Sequence, residues 1–157
     1  VLLLVAGGLQ AVRLTRWSGL RAVRDPLVFV LHVSYAWLPV GLLLLGAAIL
    51  NPVLPVSSAM HALAAGAMAG MTLAVMTRAT RGHTGRPLEA DGVTVVIYLL
   101  VHIGALLRVT APWLPVDYML APDLYADLLT LSALLWSGAF LIFTGVYGPM
   151  LATRRSG

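Results

Sequence analysis

The chain has 157 residues, of which 60% are hydrophobic and 10% charged, and its mean hydropathy is +0.93. Soluble domains carry about 25% charged residues, and a chain this short exposes too much surface for a larger core to explain the deficit, so the surface itself is apolar and its solvent is lipid. All ten cations are Arg, the formal charge is +4, and Cys is absent, which excludes disulfides, iron–sulfur clusters and thiolate catalysis within these residues.

A membrane span needs about 20 apolar residues. Residues 1–12 supply most of one. Val1–Val5 has neither a Met nor a charged leader and reads as the cut end of a membrane helix, not as a signal peptide. A connector with Arg13, Arg16, Arg21 and Arg24 follows, ending in Asp25-Pro26, which suits an N-cap and first helical residue. The second span is expected over 27–50, with His32, Tyr35, Trp37 and Pro39 in it, closed by Asn51-Pro52 and Pro55.

The third span is expected over 58–77. His61, Ala65, Met68, Thr72 and Met76 form one stripe at helical spacing, and Gly66 and Gly70 make a GxxxG pair on roughly the opposite side. Such a pair lets another helix approach closely. The fourth span, over 92–111, is capped by Asp91 and holds Tyr98, His102 and Arg108; Pro112 to Pro115 close it. The fifth runs over 124–147 after an acidic connector with Asp117 and Asp123, and Gly148-Pro149 are expected to stop it before Arg154-Arg155. The fold class is therefore all-α: a polytopic transmembrane bundle of about five spans forming a single membrane domain over 1–157.

Nine of the ten arginines fall in alternate connectors and the tail. The positive-inside rule puts these in the cytoplasm, with the start of the chain outside. Among arginines lying between apolar runs, anionic headgroups or a bound anion are the expected partners, not nucleic acid.

The four histidines are His32, His61, His83 and His102, three of them within spans. Ionisable side chains there are costly and point to function, although any single one also reads as a neutral ring bridging two helices. Bundles build cofactor sites from facing helices, and imidazole is the commonest metal ligand and a haem ligand. Depth, at about 1.5 Å per residue, permits His61 with His102, His32 with His83, or His32 with His102. Met68 and Met76 share the stripe of His61 and offer soft ligands to copper, against the ordinary use of Met as packing. Tyr35 and Tyr98 stand one turn from His32 and His102 and are placed to orient them or to donate to a diatomic ligand. Arg78, Arg81 and Arg86 read either as headgroup contacts or as a fork for haem propionates. Arg108 and Asp127, at similar depth, are expected to pair. Hydrolytic motifs (HExxH, GxSxG, paired carboxylates in one span) are absent from the sequence.

The stretch Thr77-Arg78-Ala79-Thr80-Arg81-Gly82-His83-Thr84-Gly85-Arg86-Pro87 closely resembles the signature of the NnrS family. The likeness extends to His61-Ala62-Leu63, Gly70-Met71-Thr72, Leu31-His32 and Tyr35-Ala36-Trp37, and covers about residues 17–112. It implies a haem- and copper-containing protein of the bacterial inner membrane, with haem b and copper as cofactors and nitric oxide as a ligand. The expected partners are the bilayer, and either a second copy or missing N-terminal spans. The candidates to hold such a cofactor are those read from the residues, His32, His61, His83, His102, Tyr35, Tyr98, Arg78, Arg81 and Arg86, with His32, His61, His102 and Met68 as candidate metal ligands; the resemblance does not itself assign which histidines ligate. A transporter or channel component without a cofactor is the competing reading. It predicts a polar path through His32, Thr72, His102, Ser132 and Thr144. A structural subunit assembling through GxxxG and its arginine loops is the third.

Overall fold

A computed structural model describes residues 1–17, 19–114 and 123–152, without the side chains of Leu20 and Arg21. Asp117, Arg154 and Arg155, on which part of the charge reading rests, lie outside the described residues. Within them the chain is helical, with no strand. The elements are α1 (Leu2–Thr15), α2 (Gly19–Ala22), α3 (Pro26–Leu50), α4 (Val56–His61) continuing through a π-helical turn (Ala62–Met68) into α5 (Ala69–His83), α6 (Gly92–Thr110) with a 3-10 turn (Ala111–Trp113), and α7 (Leu124–Ala152). Four are long and apolar enough to cross a membrane: Pro26–Leu50, Val56–His83, Gly92–Trp113 and Leu124–Ala152. The expected first span is the shorter α1, whose 14 residues reach about 21 Å, less than a hydrocarbon core of about 30 Å.

The capping residues act as their chemistry dictates. Asp25 accepts from the Leu27 amide at 3.0 Å with Pro26 beginning α3, and Asp91 accepts from the Thr94 amide at 2.8 Å at the start of α6. These side chains satisfy amides that a helix cannot pair internally. Two boundaries differ from expectation. Helix α5 runs on to His83, so Arg78 and Arg81 are helical. It ends where Gly85 takes a φ of 73° and the Arg86 amide bonds back to the Arg81 carbonyl at 2.9 Å, a left-handed cap that glycine adopts without a Cβ penalty. Helix α7 continues past Gly148 to Ala152 with Pro149 inside it; near a helix end the missing proline N–H costs little more than one hydrogen bond.

Packing follows small residues. α1 lies along α3, α6 lies along α7, and the π-turn sits against α3. A Cβ on Gly66 would fall 2.5 Å from the Trp37 ring, and one on Gly70 would fall 2.6 Å from His102 Cε1 and 2.7 Å from Ser34 Oγ. The GxxxG pair is therefore the bed on which α3 and α6 bring Trp37, Ser34 and His102 together. The π-turn is what the α-helical stripe did not anticipate. Its i→i+5 bonding inserts an extra residue and rotates everything beyond it. His61 and Ala65 face a cavity, whereas Met68 is 69% exposed and Met76 40% exposed, and Thr72 is exposed as well.

Candidate functional site

His102 stands where α3, α5 and α6 meet. The Trp37 indole N–H donates to its Nδ1 at 3.1 Å, and its Nε2 lies 3.3 Å from Ser34 Oγ. An indole only donates, so Nδ1 must accept, the proton sits on Nε2, and Ser34 Oγ accepts it. The ring is thus a fixed neutral tautomer. It forms part of the wall of an open cleft of about 790 Å³ between α3 and α6. The rest of that wall is almost entirely apolar: Phe29, Val33 and Val40 on one side, Leu99, Ile103 and Leu106 on the other, with Trp37 and Tyr98 beside the histidine. Tyr98 does not orient His102. Its hydroxyl is bonded to Thr77 Oγ1, which in turn donates to the Ala74 carbonyl.

His61 and Arg108 make a second cavity, of about 320 Å³, against α7. His61 Nδ1 donates to the Ser57 carbonyl at 2.6 Å, and Arg108 Nε donates to His61 Nε2 at 3.0 Å. Arg108 was expected to pair with Asp127. Instead, Asp127 is exposed on α7, and among the described residues the ion pair is Arg81–Asp91. Ser132, Ser137 and Trp136 complete the cavity wall. The Trp136 indole donates to the carbonyl of Ala65, inside the π-turn, at 3.4 Å, and Ser132 Oγ donates to the Gly104 carbonyl at 2.8 Å.

The arginine signature builds something else. Arg81 is 7% exposed. Its Nη2 donates to Asp91 Oδ2 at 2.6 Å, its Nε to the Tyr147 hydroxyl at 3.2 Å and its Nη1 to the Pro87 carbonyl at 3.4 Å. Tyr147 is fully buried, its hydroxyl 2.6 Å from Thr94 Oγ1. Asp91 is held below the ordinary carboxylate range by the Thr94 hydroxyl and amide first; burial opposes them, and Arg81 adds to the lowering. The result is a clamp tying α5, α6 and α7. Arg78 is exposed, as is His83 at the end of α5. Arg86 is half-buried, and its Nη1 is buried with no hydrogen-bond partner among the described residues.

His32 faces away from the cleft, toward the start of the chain. Its Nδ1 donates to the Val28 carbonyl at 3.0 Å, and the Trp17 ring meets it edge-on at 5.9 Å. Tyr35, expected to serve His32, instead donates to Gln10 Oε1 on α1 and packs on Trp17 with ring centroids 4.6 Å apart.

The structure therefore brings His61 to Arg108 and His102 to Trp37 and Ser34, and among the described residues neither cavity is lined by two histidines. Among the described residues no three His, Cys, Asp or Glu side chains gather as a metal site. Met68 lines neither cavity. The polar path of the transporter reading is not continuous, since Thr72 and Thr144 are exposed while Ser132 belongs to the His61 cavity. Sequence reading missed Ser34, Trp37 and Tyr147 as partners. The first two carried a signal, lying three residues apart on one face of α3; Tyr147, 66 residues from Arg81, carried none.

A family model described as NnrS protein matches residues 1–155, well beyond the stretch over which the likeness was legible. No curated protein and no solved structure matches the chain.

Proposed function

The chain belongs to the NnrS protein family, and from that premise we propose that it acts in the nitric oxide response of the bacterial inner membrane by holding a haem in the cleft between α3 and α6, with His102 as the iron's imidazole. Family membership supports a membrane protein related to nitric oxide. What supports the finer reading is the cleft. Its volume of about 790 Å³ lies within the 300–1,000 Å³ of sites that bury an organic ligand, its walls are apolar, and an imidazole stands in them.

The fit to a haem has one condition. Both His102 nitrogens are spent, one on Trp37 and one on Ser34. To hold a haem, His102 would offer Nδ1 and give up its bond to the Trp37 indole, leaving that N–H without a partner at a cost of about 1–3 kcal/mol, while Ser34 would keep the Nε2 proton and so fix the ring. Bound there, ferrous haem supplies an iron that takes a diatomic ligand. The apolar walls exclude water, and the open side admits a small neutral gas from lipid. Of the three arginines of the signature, Arg86 keeps a buried Nη1 without a partner among the described residues and Arg78 is exposed, so both have donors to offer a propionate, although neither lines the cleft. Arg81 is already engaged on three sides. For copper, the described residues bring no ligand set together, and no step is derived through it.

The observation carrying the proposal is the imidazole set in the wall of a mid-span apolar cleft. The experiment is an absorption spectrum of the purified protein after haem supplementation. A Soret band that is lost in His102→Ala and kept in His61→Ala supports it. Absence of the band in the parent protein removes it.

A further inference from the structure

Arg108 poses a charge problem that the cleft does not solve. It lies in the last turn of α6, about a turn and a half before Trp113, in a helix apolar enough to cross a membrane. The carbonyl end of the helix favours a cation there, but the guanidinium N–H groups still need acceptors. Its one hydrogen-bond partner among the described residues is His61, and that partner is neutral. The His61 Nδ1 proton is given to the Ser57 carbonyl and its Nε2 lone pair accepts from Arg108, so the ring brings no negative charge. No Asp or Glu among the described residues lies within ion-pairing distance of Arg108. Among the described residues the two Nη groups thus have no hydrogen-bond partner for their four N–H donors.

Those donors adjoin a cavity of about 320 Å³, with Ser137 and Trp136 on the facing helix. Polar lining weighs far more here than in the cleft beside His102. The π-turn contributes to the geometry: it begins directly after His61, and its Ala65 carbonyl is pinned by Trp136, fixing the cavity wall between the third span and α7.

We infer that Arg108 and His61 form a binding site for a small planar oxyanion of the nitrite or nitrate class. A guanidinium presents two parallel N–H groups that match two oxygens of such an ion. His61 holds the guanidinium by its Nε, which leaves the Nη fork turned to the ligand, and the Ser137 hydroxyl is available as a further donor. A lipid phosphate carries the same chemistry and is the other source of an occupant. The inference stands apart from the haem proposal, because neither Arg108 nor His61 lines the cleft.

The test is calorimetric titration of sodium nitrate and sodium nitrite, at constant ionic strength set with chloride, into the full chain in neutral detergent. The parent is expected to bind saturably. Arg108→Gln is expected to weaken binding about 10-fold or more, and Arg108→Lys to fall between, since lysine offers a point charge in place of a fork. Ala133→Leu narrows the cavity while keeping the arginine and is expected to weaken binding as well, which guards against a misfolded Arg108→Gln. The sources separate in phosphatidylcholine nanodiscs. Unchanged affinity there identifies the free ion. Weakened affinity, together with one phosphorus per chain co-purifying with the parent and lost in Arg108→Gln, identifies the headgroup. No saturable binding by the parent with no such phosphorus, or parental binding in folded Arg108→Gln and Ala133→Leu, overturns the inference.

Discussion

The two ends of the helical bundle spend their polar groups differently. At the arginine-rich end, Arg81, Asp91, Thr94 and Tyr147 satisfy one another in a closed clamp. At the other end Arg108 has one neutral partner among the described residues, and midway between the two His102 stands in the wall of an apolar cleft. Buried polar groups that are fully paired chiefly fix structure; groups held in place beside open volume are poised to act on something else. The comparison teaches that the most particular stretch of the sequence, Thr77 to Pro87, is largely a device for ending α5 and locking three helices together. The cavities depend on pairings, His61 with Arg108 and His102 with Trp37 and Ser34, that no local motif announces.

Substitutions can break this division. The largest effect on stability is expected for Arg81→Met, which leaves the Tyr147 hydroxyl and Asp91 without their cation. Because the Asp91 side chain is 50% exposed, the loss is discounted from a fully buried pair to about 2–3 kcal/mol. It is read from equilibrium unfolding in mixed micelles. A variant as stable as the parent would show that the clamp is not structural.

Gly70→Ala tests the other side. Its Cβ would sit 2.6 Å from His102 Cε1 and 2.7 Å from Ser34 Oγ, too close unless α3 or α6 moves. A cost of about 1–3 kcal/mol is expected. If His102 is the haem imidazole, the Soret maximum or the haem content changes with it, whereas Arg81→Met changes neither per folded molecule. Tyr147→Phe removes only a hydroxyl shared by Arg81 and Thr94 and is expected to cost about 1–2 kcal/mol without altering the spectrum.

The smallest effect is a pH dependence. Asp91 has its folded pKa lowered, chiefly by the Thr94 hydroxyl and amide. A depressed carboxylate contributes stability that is fully present above its unfolded value, about 3.9, and is lost as pH falls through the folded value. Parental stability should therefore decline below about pH 4 more steeply than that of Asp91→Asn, measured by the same unfolding assay. Parallel profiles would remove Asp91 from the clamp.

The helical class, four of the spans and both aspartate caps were legible because apolar run length and N-cap chemistry are local. The close approach at Gly66 and Gly70 was legible as a spacing, though what approached was not. Two kinds of information were hidden. The π-turn breaks the 3.6-residue period within one span, so Met68 left the face on which a regular helix would have put it. Long-range pairing chose His61 for Arg108 over Asp127, and Tyr147 for Arg81. Depth along a span can be counted from sequence; which face meets which neighbour cannot.

Haem content per folded chain tests the division most directly, measured by Soret absorbance in the parent, in His102→Ala and in Arg81→Met. The account predicts that His102→Ala loses the band while Arg81→Met, though less stable, retains it. A band that survives loss of the His102 imidazole and disappears with Arg81 would contradict it, and would move the cofactor to the arginine-rich end.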